Sequence, residues 1–176
     1  YSDIELELSK YKKQFKNAVV LCNCDDPTWS NFWRYLHINF SKLKLKKLIS
    51  THYQKGTPSY KLVYEGGNDN DIEFGVKVNL HDDGDFRSQE CIDILNEADI
   101  VVTNPPFSLF REYVSTLVRY NKKMIIIGNM NSITTKDVFP LFRDGKLWYG
   151  QSIHSGDRKF YVPDDYPLEA STCGID

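Results

Sequence analysis

The sequence predicts an α/β fold: a doubly wound, mostly parallel sheet with helices on both faces and a β-hairpin insertion. Three observations carry that expectation. Ala18–Cys22, Asp99–Thr103 and Met124–Gly128 are short runs lacking the polar alternation of a half-exposed strand, which marks strands covered on both faces. Between them, Phe110, Tyr113, Val114, Leu117 and Val118 recur at the spacing of one helix face. Polar clusters follow the strand candidates: Asn23 to Asp26, Ser50 to His52, Asp82 to Asp85, Asn104, and Asn129 to Asn131. Open parallel sheets hold ligands at the carboxyl ends of their strands, so five polar ends on one edge point to a ligand cleft.

The elements follow in order. Leu6 to Tyr11 leads a lysine-rich helical stretch that ends near Phe15, and Ala18–Cys22 is the first strand. Asn23-Cys24-Asp25-Asp26-Pro27 breaks it with turn formers. From Ser30, the residues Phe32, Trp33, Leu36 and Phe40 define a helix, and a second strand is expected over Leu43 to Ser50. Tyr60–Tyr64 and Ile72 to Leu80 flank a Gly/Asn/Asp cluster and read as a hairpin spanning about 60–80. Ser88 to Asn96 is expected to be helical, with Cys91, Ile92 and Leu95 on one side. The segment 146–176 is aromatic and β-prone at least from Lys146 to Val162.

At 176 residues, 41% hydrophobic and 26% charged, the chain fits a single folded domain. It begins Tyr1-Ser2-Asp3 and stops at Gly174-Ile175-Asp176, and it is expected to be part of a longer protein. No apolar run approaches the roughly 18 residues of a membrane span. Cys22, Cys24, Cys91 and Cys173 form one Cys-x-Cys with no second cluster nearby, so a reduced, cytoplasmic thiol protein without a metal site is expected. Residues 1–64 carry 11 Lys/Arg against 5 Asp/Glu, residues 65–99 carry 2 against 11, and residues 100–176 carry 9 against 8. A basic first third suits phosphates, and a solvated helix face gives the same count; charge does not choose between them.

Asn104-Pro105-Pro106-Phe107 is the most specific chemical signal. The exocyclic amine of adenine is a weak nucleophile because its lone pair is delocalised into the ring. Two acceptors aimed at its N–H groups would turn that lone pair toward an electrophile. The Asn104 carboxamide oxygen and the Pro105 carbonyl are the candidates, and the prolines fix the backbone that presents them. Phe107 offers a face on which an extruded base stacks. The competing reading is a turn in which two prolines stop a strand.

Asp99-Ile-Val-Val-Thr-Asn-Pro-Pro-Phe-Ser-Leu-Phe-Arg-Glu-Tyr113 resembles the catalytic segment of amino-methyltransferases acting on adenine, and more narrowly the EcoRI-type adenine-specific modification methylases. Asn23 to Pro27 and Ile127-Gly128-Asn129-Met130-Asn131 agree with that family in the same order, and the resemblance spans about residues 1–150. It implies a Rossmann-like, S-adenosylmethionine-dependent methyltransferase fold acting on double-stranded DNA, with Asn104, Pro105, Pro106 and Phe107 catalytic. It places the cofactor against Asn23, Cys24, Asp25 and Asp26, with Ser50 after the second strand and Asp83, Gly84, Asp85 and Phe86 after the third; Asn104 borders both ligands. The chain departs from the family pattern in lacking a glycine-rich turn after the first strand, where Cys24 and the two acids stand instead.

Alternatives stay open at each position. Asp25 caps the next helix or binds the cofactor; Asp83-Gly84 is a plain turn or a cofactor loop; Asn129 and Asn131 line a base pocket or form a turn. Lys136, Arg143, Arg158 and Lys159 are phosphate contacts or solvated side chains. Trp29 and Trp33 read as core, and His37 and His154 have no visible partner. RNA or a protein glutamine is an alternative acceptor, and a catalytically silent nucleic-acid-binding domain is a third reading.

Overall fold

The computed structural model describes residues 1–67 and 75–152. Its sheet has six strands in the order β4-β3-β2-β1-β5-β6: β1 Val19–Asn23, β2 Lys47–Thr51, β3 Tyr60–Tyr64, β4 Val76–Asn79, β5 Ile100–Thr103 and β6 Lys123–Ile126. β1 pairs in parallel with β2 and β5, and β5 with β6. β3 is antiparallel to both β2 and β4, so β4 again runs with the parallel strands.

The uninterrupted apolar strands divide their side chains between two cores, as double cover requires. Val20, Cys22, Leu48, Ile100 and Val102 face one layer, packed by α1 (Ser2–Leu8), α2 (Lys12–Phe15), α3 (Asn31–Ile38) and α4 (Phe40–Leu43). Val19, Leu21, Ile49 and Val101 face the other, packed by α5 (Gln89–Glu97) and α6 (Phe110–Arg119). Two serines start helices where the sequence changes period: Ser30 Oγ accepts from the Trp33 amide at 3.1 Å, and Ser88 Oγ accepts from the Cys91 amide at 3.2 Å. A final short helix, α7, covers Phe139–Arg143.

Several expectations need correction. Leu43 is the last residue of α4, not the start of the second strand. Lys44 follows in the left-handed region at φ 56°, and the chain re-enters the sheet only at Lys47; alternating lysines on a short helix and its exit mimic the strand period. The hairpin strands do pair with each other, but they also extend the main sheet from the β2 edge, because β3 hydrogen-bonds along β2. Their connection, 68–74, lies outside the described residues, as do 153–176, which include most of the β-prone tail, His154, Arg158, Lys159 and Cys173. No strand occurs in the described part of that tail, 146–152. Trp33 is core at 0% exposure, whereas Trp29 is 81% exposed. His37 is buried with its ring 4.2 Å from that of Tyr64 and stacked at 6.0 Å on Trp33. No helix among the described residues is long and apolar enough to cross a membrane.

Candidate cofactor and base site

The strand order places β1 between β2 and β5, so the chain leaves the carboxyl ends of β1 and β5 toward opposite sides of the sheet. That divergence opens a crevice where doubly wound sheets hold ligands. All five polar clusters follow strands that run in the same direction, and Asn23–Asp26 and Asn104–Phe107 flank the crevice. The two walls are joined beneath it, where the Thr103 hydroxyl donates to the Asn23 carbonyl.

The β1 wall is dense with internal bonds. Asn23 is 2% exposed and its Oδ1 accepts from the Thr51 hydroxyl at 3.0 Å. Cys24 adopts φ 61°, taking the left-handed conformation that a glycine supplies more readily. Its sulfur donates weakly to Asn23 Oδ1 at 3.3 Å. Burial, with Cys91, Asp85 and Asp25 nearby, pushes the Cys24 thiol up to about 12, and burial holds Cys22 well above the ordinary thiol range. Both stay protonated and are poor nucleophiles.

Asp25 Oδ2 accepts from the Ser30 hydroxyl at 2.7 Å. Burial outweighs that bond and, with Asp26 alongside, pushes the Asp25 carboxyl up to about 6. A half-buried acid with no cation acting on it among the described residues suits a cationic ligand. Burial also raises Asp26, but bonds from the Thr28 amide (2.9 Å) and hydroxyl (2.8 Å), together with Trp29 and His52, bring it below its ordinary value. His52 Nδ1 lies 3.3 Å from Asp26 Oδ2.

Ser50 is fully buried, and its hydroxyl donates to the Asp25 carbonyl at 2.6 Å and the Cys22 carbonyl at 3.3 Å. It supports the loop from below and presents no free hydroxyl to a cofactor. Gly84 has φ 80°, and a Cβ there would lie 2.0 Å from the His52 carbonyl oxygen. The Asp82–Asp83 backbone is held by the Ser59 amide at 3.0 Å and the Gln54 amide at 2.8 Å, so the β4 exit packs directly on the β2 exit. Asp83 Oδ1 accepts from the Asp85 amide at 3.0 Å. Asp85 is held below its ordinary value, first by Arg87, whose guanidinium reaches its two oxygens at 2.6 and 2.9 Å. Phe86 is only 3% exposed and packs edge-on against Tyr113, so the ring expected to meet a cofactor is closed into the core. A concavity of about 550 Å³ opens beside this exit, lined by Gly56, Thr57, Pro58, Asp83, Asp85 and Arg87 among others. A second, of about 440 Å³, lies at the amino edge among Lys16, Asn17, Asp99 and Lys122, remote from the polar ends.

The β5 wall is the opposite in character. Asn104, Pro106 and Phe107 are exposed, Phe107 at 61%, while Pro105 is buried. Among the described residues nothing hydrogen-bonds the Asn104 carboxamide. The chain turns at once into a helical turn, Phe107–Leu109, in which the Leu109 amide donates to the Pro106 carbonyl at 3.0 Å. Below, Phe110 packs over the end of β6: a Cβ on Gly128 would lie 2.6 Å from its ring. Asn129 accepts from the Asn131 amide at 2.8 Å and caps the turn Met130–Thr134, which favours the turn reading of that motif.

A family model described as "Adenine-specific methyltransferase EcoRI" matches residues 1–176. The chain belongs to the EcoRI-type adenine-specific methyltransferase family. It is 45% identical over 188 residues to the Type II methyltransferase M.EcoRI of Escherichia coli, an alignment covering 100% of this chain and 58% of that one. It is 37% identical over 168 residues to the Type II methyltransferase M.MpnI of Mycoplasma pneumoniae (96% and 50%) and 37% over 166 residues to M.MgeORF184P of Mycoplasma genitalium (94% and 50%). The chain thus spans between half and three-fifths of the length of these curated relatives. No solved structure matches.

Within this EcoRI-type methyltransferase fold, the structure brings together Asn23 to Asp26, Ser50 and Asn104 to Phe107 around the β1–β5 crevice, with Asp83 to Phe86 one strand pair away. Thr51 is legible in the sequence only as part of a polar strand end, Ser30 only as a helix start and Thr103 only as a strand residue, yet the three organise the β1 wall. A hydroxyl residue ending β2 and β5 was the available signal for Thr51 and Thr103, and it was weak because such residues also simply terminate strands.

Proposed function

We propose that the chain carries the catalytic crevice of a methyltransferase that transfers a methyl group from S-adenosylmethionine to the exocyclic amine of an adenine extruded from double-stranded DNA, in the cytoplasm where reduced thiols persist. Residues 1–176 act as a single catalytic domain in this reading, with recognition of the DNA sequence contributed by further parts of the protein. The observation that carries it is the placement at neighbouring strand ends of an exposed Asn104 carboxamide and a half-buried Asp25, neither with a charged partner among the described residues.

Asp25, with the backbone of Cys24 and Asp26, would hold the cofactor, whose amino group offers the missing positive charge. When bound, S-adenosylmethionine supplies an electrophilic methyl group. Asn104 accepts a hydrogen bond from the adenine amine through its carboxamide oxygen, and the Pro105 carbonyl accepts the second. Together they orient the amine lone pair out of conjugation. Phe107 stacks on the base and keeps it out of the duplex. The protonated Cys22 and Cys24 thiols form no covalent intermediate, so rate comes from positioning.

The test is incubation of the protein with methyl-labelled cofactor and, separately, adenine-containing duplex DNA, RNA and protein. Label on the adenine amine of DNA is the expected result. Label on RNA or on a glutamine side chain, with none on DNA, would overturn the assigned acceptor.

A further inference from the structure

The turns that lead into β1, β2 and β6 share a composition. Each has one residue in the left-handed region, Asn17, Lys44 and Asn121 respectively, and each carries lysine: Lys16, then Lys44, Lys46 and Lys47, then Lys122 and Lys123. The turns are joined to one another and to α2. The Asn17 amide donates to the Lys44 carbonyl at 2.7 Å, the Lys46 amide donates to the Ala18 carbonyl at 2.9 Å, and Lys123 Nζ reaches Gln14 Oε1 at 3.4 Å. The strand order β2-β1-β5-β6 therefore strings these lysines along the amino edge of the sheet, opposite the crevice. With neighbouring strands about 4.8 Å apart, the row is on the order of 15 Å long. The concavity of about 440 Å³ opens within it, lined by Lys16, Lys122, Lys123 and Asp99 among others.

Lysines that follow helices ordinarily serve the helix end or a local acid. Two of these do. Lys122 Nζ donates to the Asn96 and Ala98 carbonyls at 3.1 and 2.7 Å, and Lys47 lies 3.2 Å from Glu97 and 3.9 Å from Glu65. Asp99, the acid in the concavity, accepts from the Val19 amide at 2.8 Å. Lys16, Lys44 and Lys46 are different: all three are exposed, and among the described residues no acid or carbonyl takes their ammonium groups.

We propose that this basic amino edge binds the phosphate backbone of duplex DNA at a second place, separate from the crevice. The inference goes beyond the methyl-transfer reading and does not depend on it. A five-residue strand such as β1 spans about 17 Å, so a straight duplex resting on the carboxyl edge does not also lie along the amino edge. The amino edge thus holds DNA other than the stretch being modified, through charge alone and without regard to sequence. Such a contact keeps the protein on DNA between encounters with its target. A row of cations with no large apolar side chain exposed in these turns fits a phosphate backbone better than a bilayer, which also rewards insertion.

The test combines Lys16→Gln, Lys44→Gln and Lys46→Gln and follows the binding of a short fluorescent duplex of arbitrary sequence by anisotropy across a salt series. The expected variant binds at least about tenfold more weakly at low salt, and the slope of log K against log salt is shallower by about 2 to 3, roughly 0.9 for each lysine removed. Its calorimetric S-adenosylmethionine affinity equals that of the wild type. Unchanged duplex affinity and slope overturn the inference, as does binding of the wild type to anionic phospholipid vesicles but not to the duplex. Should the triple variant fail to fold, lysine acetylation of the wild type with and without the duplex decides. Protection of Lys16, Lys44 and Lys46 is expected, and protection confined to Lys55 and Lys136 overturns the proposal. Duplex binding through the amino edge without methyl transfer would remove the proposed function and leave this inference standing; methyl transfer with an unaltered triple variant sinks the inference alone.

Discussion

The two walls of the crevice are built on opposite plans. The β1 exit is stitched to its surroundings: Asn23 to Thr51 and Thr103, the Asp25 carbonyl to Ser50, Asp26 to Thr28 and His52, with the β4 exit seated on the β2 exit through Gly84. The β5 exit presents Asn104 and Phe107 outward, stiffened by two prolines and by the helical turn that the Leu109 amide closes on the Pro106 carbonyl. Under the proposed function the β1 wall holds the same small cofactor at every turnover, and such a wall gains from being rigid before binding, since ordering costs are avoided. A wall that receives a base from outside must leave its acceptors uncovered, and prolines fix a backbone without occupying those acceptors. Rigidity is thus supplied by a web of side-chain hydrogen bonds on one side and largely by covalent ring closure on the other.

The contrast can be broken in three places. The largest effect is expected at Asn104, where removal of the carboxamide takes away the contact proposed with the base. Asn104→Ala should lower methyl transfer by about 10²–10³-fold, the scale seen when one preorganised polar contact to a reacting group is deleted. Its melting temperature and calorimetric S-adenosylmethionine affinity should stay near wild type. Equal loss of transfer and cofactor binding would show that the walls are not separate.

Next is Gly84, on the stitched side. Gly84→Ala forces a methyl to 2.0 Å from the His52 carbonyl oxygen at φ 80°. Loss of at least about 2 kcal/mol is expected, from overpacking together with a disfavoured backbone conformation. Denaturant unfolding measures it, and a change under 0.5 kcal/mol would mean that the β2 and β4 exits are free to separate.

The smallest effect concerns pH. The Asp25 carboxyl is raised from an ordinary 3.8 to about 6 in the fold. The folded state therefore takes up this proton first, so the group's stabilising contribution is fully present below about pH 4 and is lost as pH rises through about 6. Affinity for a cationic cofactor runs the other way. It should weaken by up to about tenfold per pH unit as pH falls below about 6. Asp25→Asn should flatten that dependence in a titration series; a slope that persists in the variant would assign it to another group.

Much of the fold was legible because its signals are local. Val19 to Cys22 and Ile100 to Val102 announce covered strands by lacking alternation, and Ser30 and Ser88 mark helix starts by their chemistry; Met124 to Ile126 do form a strand, but as the sheet's edge it is half-buried rather than covered on both faces. The second strand was misplaced because alternating lysines on α4 and its exit carry no cue to a left-handed turn at Lys44. Within the site, Asn104 and Phe107 were readable from one tetrapeptide, since the segment that needs them also confines them.

The doubly wound pattern, the five polar strand ends and the Asn-Pro-Pro-Phe segment all follow from residues close together along the chain. Packing between distant segments is what makes β3 and β4 extend the sheet, turns Ser50 and Phe86 inward and Trp29 outward, and buries Tyr113 against Phe86. Which side of a strand end or helix meets solvent depends on what packs across it, and that partner is fixed by contacts between distant segments rather than by the residue's neighbours in sequence.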